Sequence, residues 1–123
     1  MKPFSTRARL KSFMYAFRGI CICMTQEHNA WIHSLITILV ISAGLFFRIS
    51  IMEWIAIFLC ISTVFAAEII NTAIERLTDK ISPDYHPDAG IIKDLAAGAV
   101  LICAFFSVII GLLIFVPKIY ALF

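Results

Sequence analysis

The sequence predicts an all-α membrane protein: three transmembrane helices preceded by an N-terminal amphipathic helix lying on the membrane surface. Three observations carry that prediction. The 123 residues are 62% hydrophobic with a mean hydropathy of +0.98, whereas soluble domains are about 45–50% apolar. Three apolar runs reach the ~20 residues that a helix needs to cross a bilayer. The charged residues collect at the ends of those runs. No Ser/Gly linker, low-complexity tract or repeat divides the chain, so residues 1–123 read as a single domain.

The first element, over residues 6–24, places Leu10, Phe13, Met14 and Phe17 at helical spacing, with Arg7, Lys11 and Arg18 elsewhere. That pattern suits a helix in the interface plane. The N-terminal segment lacks a clean apolar run and a small-residue cleavage site, and so does not read as a cleaved signal peptide. The first span is expected at 30–47, the second at 51–74 and the third at 95–116, with Pro117 as a stop. Little Gly or Pro interrupts these runs, and in lipid a helix satisfies its own backbone. The segment "SPDYHPDAGIIKD" (82–94) reads as a loop on its two prolines and one glycine.

Basic residues set the orientation. Lys2, Arg7, Arg9, Lys11 and Arg18 precede the first span, and Arg76, Lys80 and Lys93 lie between the second and third. The positive-inside rule places both regions in the cytoplasm and the 48–53 link outside. A net charge of +2 gives no argument for nucleic acid. Cys21, Cys23, Cys60 and Cys103 fit no zinc spacing and read as buried thiols rather than a disulfide framework. His28 and His33 have no partner that would make a metal site.

The acids are the informative residues. All except Glu53 fall at the cytoplasmic ends of spans or between them, and three helix ends deliver carboxylates to one side. Within "AEIINTAIERLTDK" (66–79), Glu68, Asn71, Glu75 and Asp79 step by three, four and four. At 100° per residue they share a helix face of roughly 80°. Glu68 lies ~10 Å of helix rise deeper than Glu75. A lone carboxylate at that depth costs a few kcal/mol without a partner or cavity. Structural pairing with an Arg or Lys of a neighbouring helix is one reading, and a functional role is the favoured one.

Carboxylates from different helices, such as Glu27 and Glu75, suit Mg²⁺, which takes one or two of them together with phosphate oxygens. A carboxylate partly withdrawn from water is a better proton acceptor, so Glu68 could meet a hydroxyl that stays in the lipid. The pattern reads as phosphate and metal at the surface, a lipid alcohol below and a base between. No GxxxxGK[ST] or GxGxxG motif occurs, leaving phosphates to Mg²⁺ and to basic residues such as Lys93, beside Asp94. Tyr85 and His86 could meet a base or ribose. A proton-coupled transporter using intramembrane Glu68 is the alternative, but it calls for an acid near the midplane. A non-catalytic subunit docking a partner is a second rival.

The run "EIINTAIERLTDKI", then "DYH", then "KDLAAGAVL", with "EHNAWIH" at 27–33 and "SFMYAFRGI" at 12–20, resembles the prokaryotic integral-membrane diacylglycerol kinases, including their undecaprenol kinase branch. The resemblance covers nearly the whole chain. It implies a lipid kinase of the bacterial cytoplasmic (inner) membrane with its N-terminus in the cytoplasm. It also implies a homotrimer with active sites shared between protomers, ATP as phosphate donor and Mg²⁺ as cofactor. By position, Glu68 corresponds to the catalytic base and Glu27 and Glu75 to the metal-binding carboxylates, with Asn71 and Asp79 supporting them. Tyr15, Asp84, Tyr85, His86, Lys93 and Asp94 fall where the family contacts ATP. The N-terminal nucleotide-contacting arginine aligns with Arg7 or Arg9. Ala97 stands where the diacylglycerol-specific branch has a serine, so the resemblance leaves undecaprenol and diacylglycerol both open, with a lean toward undecaprenol.

Overall fold

A computed structural model describes all of Met1–Phe123 as four helices: α1 (Thr6–Gln26), α2 (His28–Phe47), α3 (Ile51–Ile81) and α4 (Pro87–Tyr120). The last three are long and apolar enough to cross a membrane.

Helix α1 starts at Ser5, whose hydroxyl accepts the Ala8 N–H, one of the donors that a helix start leaves unpaired. Residues 6–18 are all exposed, and coverage begins only near Gly19. The predicted surface helix is present and touches the bundle through its last turns. It ends at Glu27, which is extended (φ −107°, ψ 122°) and belongs to neither α1 nor α2. The Trp31 indole N–H donates to the Met24 carbonyl at 2.7 Å, pinning this elbow.

At the other end of α2, Arg48 adopts the left-handed conformation (φ 50°, ψ 54°). The N–H groups of Arg48 and Ile49 bond back to Leu45 and Gly44, closing the helix as C-terminal motifs do. Ser50 and Glu53 then form a reciprocal capping box, which satisfies two donors at the start of α3.

Helices α3 and α4 form a long antiparallel hairpin. Glu53 near the start of α3 pairs with Lys118 near the end of α4 at 3.1 Å, and Asp79 pairs with Lys93 at the opposite end. On α3 those two acids are ~39 Å apart, enough to bracket the ~30 Å hydrocarbon layer. Between them Ile57 and Ile114 are buried with Ile49, backed by Val40, Phe47 and Trp54. Only 13 of 123 residues are buried, so the apolar outer faces of the helices are left for lipid or for other copies of the chain.

Two expectations need correction. Pro117 does not stop the third span, since α4 continues through it to Tyr120. A proline removes one helical hydrogen bond but holds a helical φ, and here the loss falls in the last turn. Nor is 82–94 a loop. Pro87 opens α4, and the His86 ring accepts the Asp88 N–H at 3.2 Å as N-cap. A proline at the first helical position gives up an N–H that has no partner anyway. The connection is therefore five residues, 82–86, and α3 runs on from the expected 74 to Ile81.

Candidate active site

The stripe read from the sequence on α3 is graded by depth. Glu68 is 2% exposed and Asn71 7%, Glu75 is half-buried and Asp79 is exposed. Three carboxylates thus meet three environments along one helix face. Glu68 Oε2 and Asn71 Oδ1 are buried without any hydrogen-bond partner. Buried polar atoms are nearly always paired, so two adjacent unpaired acceptors mark a place where a donor is expected from outside the chain.

The elbow between α1 and α2 brings Glu27 to this stripe. Glu27 holds the N-cap position of α2, yet its side chain caps nothing. It turns to α3, where Arg76 Nη2 lies 4.0 Å from its carboxylate and 2.5 Å from Gln26 Oε1. Cys23, 2% exposed, packs at the same place. Burial raises its thiol pKa above the ordinary 9.0; the Thr72 side chain opposes this, the charges of Glu68 and Glu27 add to it, and that of Arg76 subtracts. All five groups therefore form one neighbourhood. Sequence reasoning missed Cys23, Thr72 and Arg76. Thr72 could have been found, since it lies one turn from Glu68. In the sequence Arg76 reads only as a topology determinant.

The expected nucleotide residues are less gathered. Lys93 is ion-paired to Asp79, so its charge is already partnered. His86 is used as a helix cap. Asp84, Tyr85 and Asp94 are exposed, Tyr85 at 93%. Arg9 and Tyr15 lie on the exposed part of α1, ~21 Å and ~12 Å of helix rise from Cys23. One chain alone does not bring them to the acid stripe.

No three His, Cys, Asp or Glu side chains converge into a cation cage. The Glu27 and Glu75 carboxylates are hard oxygen donors at the polar end of the bundle, and suit an ion that takes one or two carboxylates and completes its shell with water and phosphate. One turn deeper than Glu68, an apolar cleft of ≈ 220 Å³ opens between the helices, lined among others by Val64, Phe65, His33, Thr37 and Ser107.

Comparison with known proteins bears on this arrangement. The prokaryotic diacylglycerol kinase family matches residues 14–115. The chain is 46% identical to an undecaprenol kinase of Bacillus subtilis, covering 88% of each chain. It is 33% identical to a diacylglycerol kinase of Synechocystis, over 92% of this chain and 65% of that one. A diacylglycerol kinase of Escherichia coli is 25% identical over 81% of this chain and 82% of its own. The three apolar helices are thus those of an integral-membrane lipid kinase. The chain belongs to the prokaryotic diacylglycerol kinase family.

Proposed function

We propose that this protein transfers the γ-phosphoryl group of ATP to the hydroxyl of a membrane lipid alcohol, with Glu68 as general base. The observation that carries the reading is Glu68 itself, buried and with Oε2 unpaired. The acceptor hydroxyl would donate to that oxygen. As its oxygen bonds to the γ-phosphorus, its proton passes to Glu68 and the bond to the β-phosphate oxygen breaks, releasing ADP. Asn71, one turn along the same face, offers its free carbonyl oxygen to hold a donor in register. The cleft below Glu68 is lined mostly by apolar residues of the spans and suits the lipid chain.

Mg²⁺, held through Glu27 and Glu75 together with phosphate oxygens, would neutralise the charge that develops on the transferring group. Positioning and electrostatics supply most of such catalysis. The nucleotide would lie toward Asp79 and Lys93, with Asp84, Tyr85, His86 and Asp94 at the rim. Arg9 and Tyr15 lie too far along α1 to serve the same chain's acids, which suits sites completed by a neighbouring protomer, as in the homotrimer that the resemblance implies. The basic N-terminal helix and the 76–93 region support a cytoplasmic site in the bacterial inner membrane.

For the acceptor we favour undecaprenol over diacylglycerol. The relative named for undecaprenol shares 46% identity, against 33% and 25% for those named for diacylglycerol, and Ala97 offers no hydroxyl. The test is phosphate transfer from labelled ATP by the purified protein in mixed micelles, with each lipid in parallel and Glu68→Gln as control. Labelled lipid that vanishes in the variant supports the reading, and the better acceptor identifies the substrate. Full transfer by Glu68→Gln would rule out Glu68 as the base.

A further inference from the structure

Glu27 is subject to two competing attractions. It stands at the N-cap of α2, where unpaired backbone N–H groups and the positive end of the helix dipole attract a carboxylate. Its side chain makes no such bond. It points instead toward Arg76, which a hydrogen bond to Gln26 anchors on the same elbow. Because Glu27 is extended, no helix fixes the direction of its side chain. Arg76 is the cation that faces it from α3, 4.0 Å away.

We infer that Arg76 is a positioning residue, holding the Glu27 carboxylate off the α2 N-terminus and on the α3 side, where a divalent cation bound with nucleotide would need it. This rests on the proposed role of Glu27 as a cation ligand. Arg76 also holds the surface helix and α3 together at this elbow, since Gln26 is the last residue of α1. A guanidinium can do both at once because its planar fork presents several donors in fixed directions, whereas a lysine ammonium offers a single point of charge. Without Arg76 the Glu27 carboxylate would turn to the free N–H groups of α2 and be lost to the cation.

The experiment measures binding as well as turnover. Mn²⁺ with a non-hydrolysable ATP analogue is titrated into the purified protein and followed by electron paramagnetic resonance, with no lipid acceptor. Arg76→Ala is expected to weaken Mn²⁺–nucleotide binding about tenfold and to raise the Mg²⁺ concentration for half-maximal turnover by a similar factor. The saturated rate should change far less. Arg76→Lys should recover part of the binding. In a Glu27→Gln background Arg76→Ala should do little more, because residues acting through one another are non-additive.

Two outcomes overturn the inference: Arg76→Ala that binds Mn²⁺–nucleotide as the wild type does, or effects of Arg76→Ala and Glu27→Gln that simply multiply. A Glu27→Gln variant with unchanged Mn²⁺ binding is a different failure. It removes the cation role of Glu27 itself while leaving the kinase reading to the transfer assay. Thermal unfolding of each variant separates misfolding from lost positioning, and Arg76→Lys, which keeps the charge, carries the test if the alanine variant does not fold.

Discussion

The two ends of the α3–α4 hairpin are built on opposite principles. At the Glu53 end nearly every polar group is matched. Ser50 and Glu53 cap each other, Lys118 pairs with Glu53, and Trp54 lies over Gly44 beside the buried Ile49. At the Glu68 end the chain buries a carboxylate and an amide with free oxygens, beside a thiol and a half-buried glutamate. The first end closes the fold. The second leaves buried acceptors for a donor from outside the chain, a cost that functional sites commonly carry.

The largest expected effect tests that contrast directly. Glu68→Gln should reduce turnover by at least ~10²-fold, the scale of general-base catalysis. The same change should raise the unfolding temperature in detergent, because a neutral amide is less costly to bury than an unpaired charge. Loss of activity together with loss of stability would place Glu68 among the structural residues, and the contrast would fail.

At the other end the signs reverse. A Cβ on Gly44 would meet Trp54 Cη2 at 2.7 Å and Ile49 Cδ1 at 3.1 Å. Trp54 is also stacked on Phe58, so it has little freedom to withdraw. Gly44→Ala should destabilise the protein by about 1–3 kcal/mol, measured by thermal unfolding, while nucleotide binding is unaffected. A neutral result would mean that the Trp54 ring moves aside easily.

Lys118→Met breaks the Glu53 ion pair, whose side chains are each 28% exposed. The capping box remains and solvent screens the pair, so the loss of stability should be small, again without a change in transfer rate. Altered lipid phosphorylation would instead couple the two ends.

The smallest effect concerns reactivity. Cys21 is exposed and Cys23 is buried two residues on, with burial pushing the Cys23 thiol above its ordinary 9.0. A maleimide near neutral pH should label Cys21 and spare Cys23. The raised value also means that Cys23 contributes stability below pH 9. That contribution is lost as pH rises toward its folded value, because the unfolded thiol ionises first. Equal labelling of both thiols would show that the elbow opens readily.

Local composition made much of this legible. Apolar runs of bilayer length can only be helices in lipid, and the steps from Glu68 through Asn71 and Glu75 to Asp79 fix one face on any α-helix. The burial of Glu68 followed from its depth in the run. The connection at 82–86 was harder to read, because Pro87 carries opposite meanings inside a loop and at the first turn of a helix. Only the His86 cap resolves which applies. Pro117 reads as a stop from sequence, yet in the last turn of α4 it costs the helix only one hydrogen bond.

The sequence by itself determined the three spans, the surface helix, the acid stripe and the side on which the charges gather. These depend on hydrophobicity and helical period, which each residue carries wherever the chain goes. The tertiary structure decided the pairings: Arg76 with the Glu27 elbow, Lys93 with Asp79, Lys118 with Glu53, and Cys23 against Glu68 and Thr72. A charge or a thiol acquires its role from its neighbours, and neighbours up to 65 residues apart are chosen only when the helices pack.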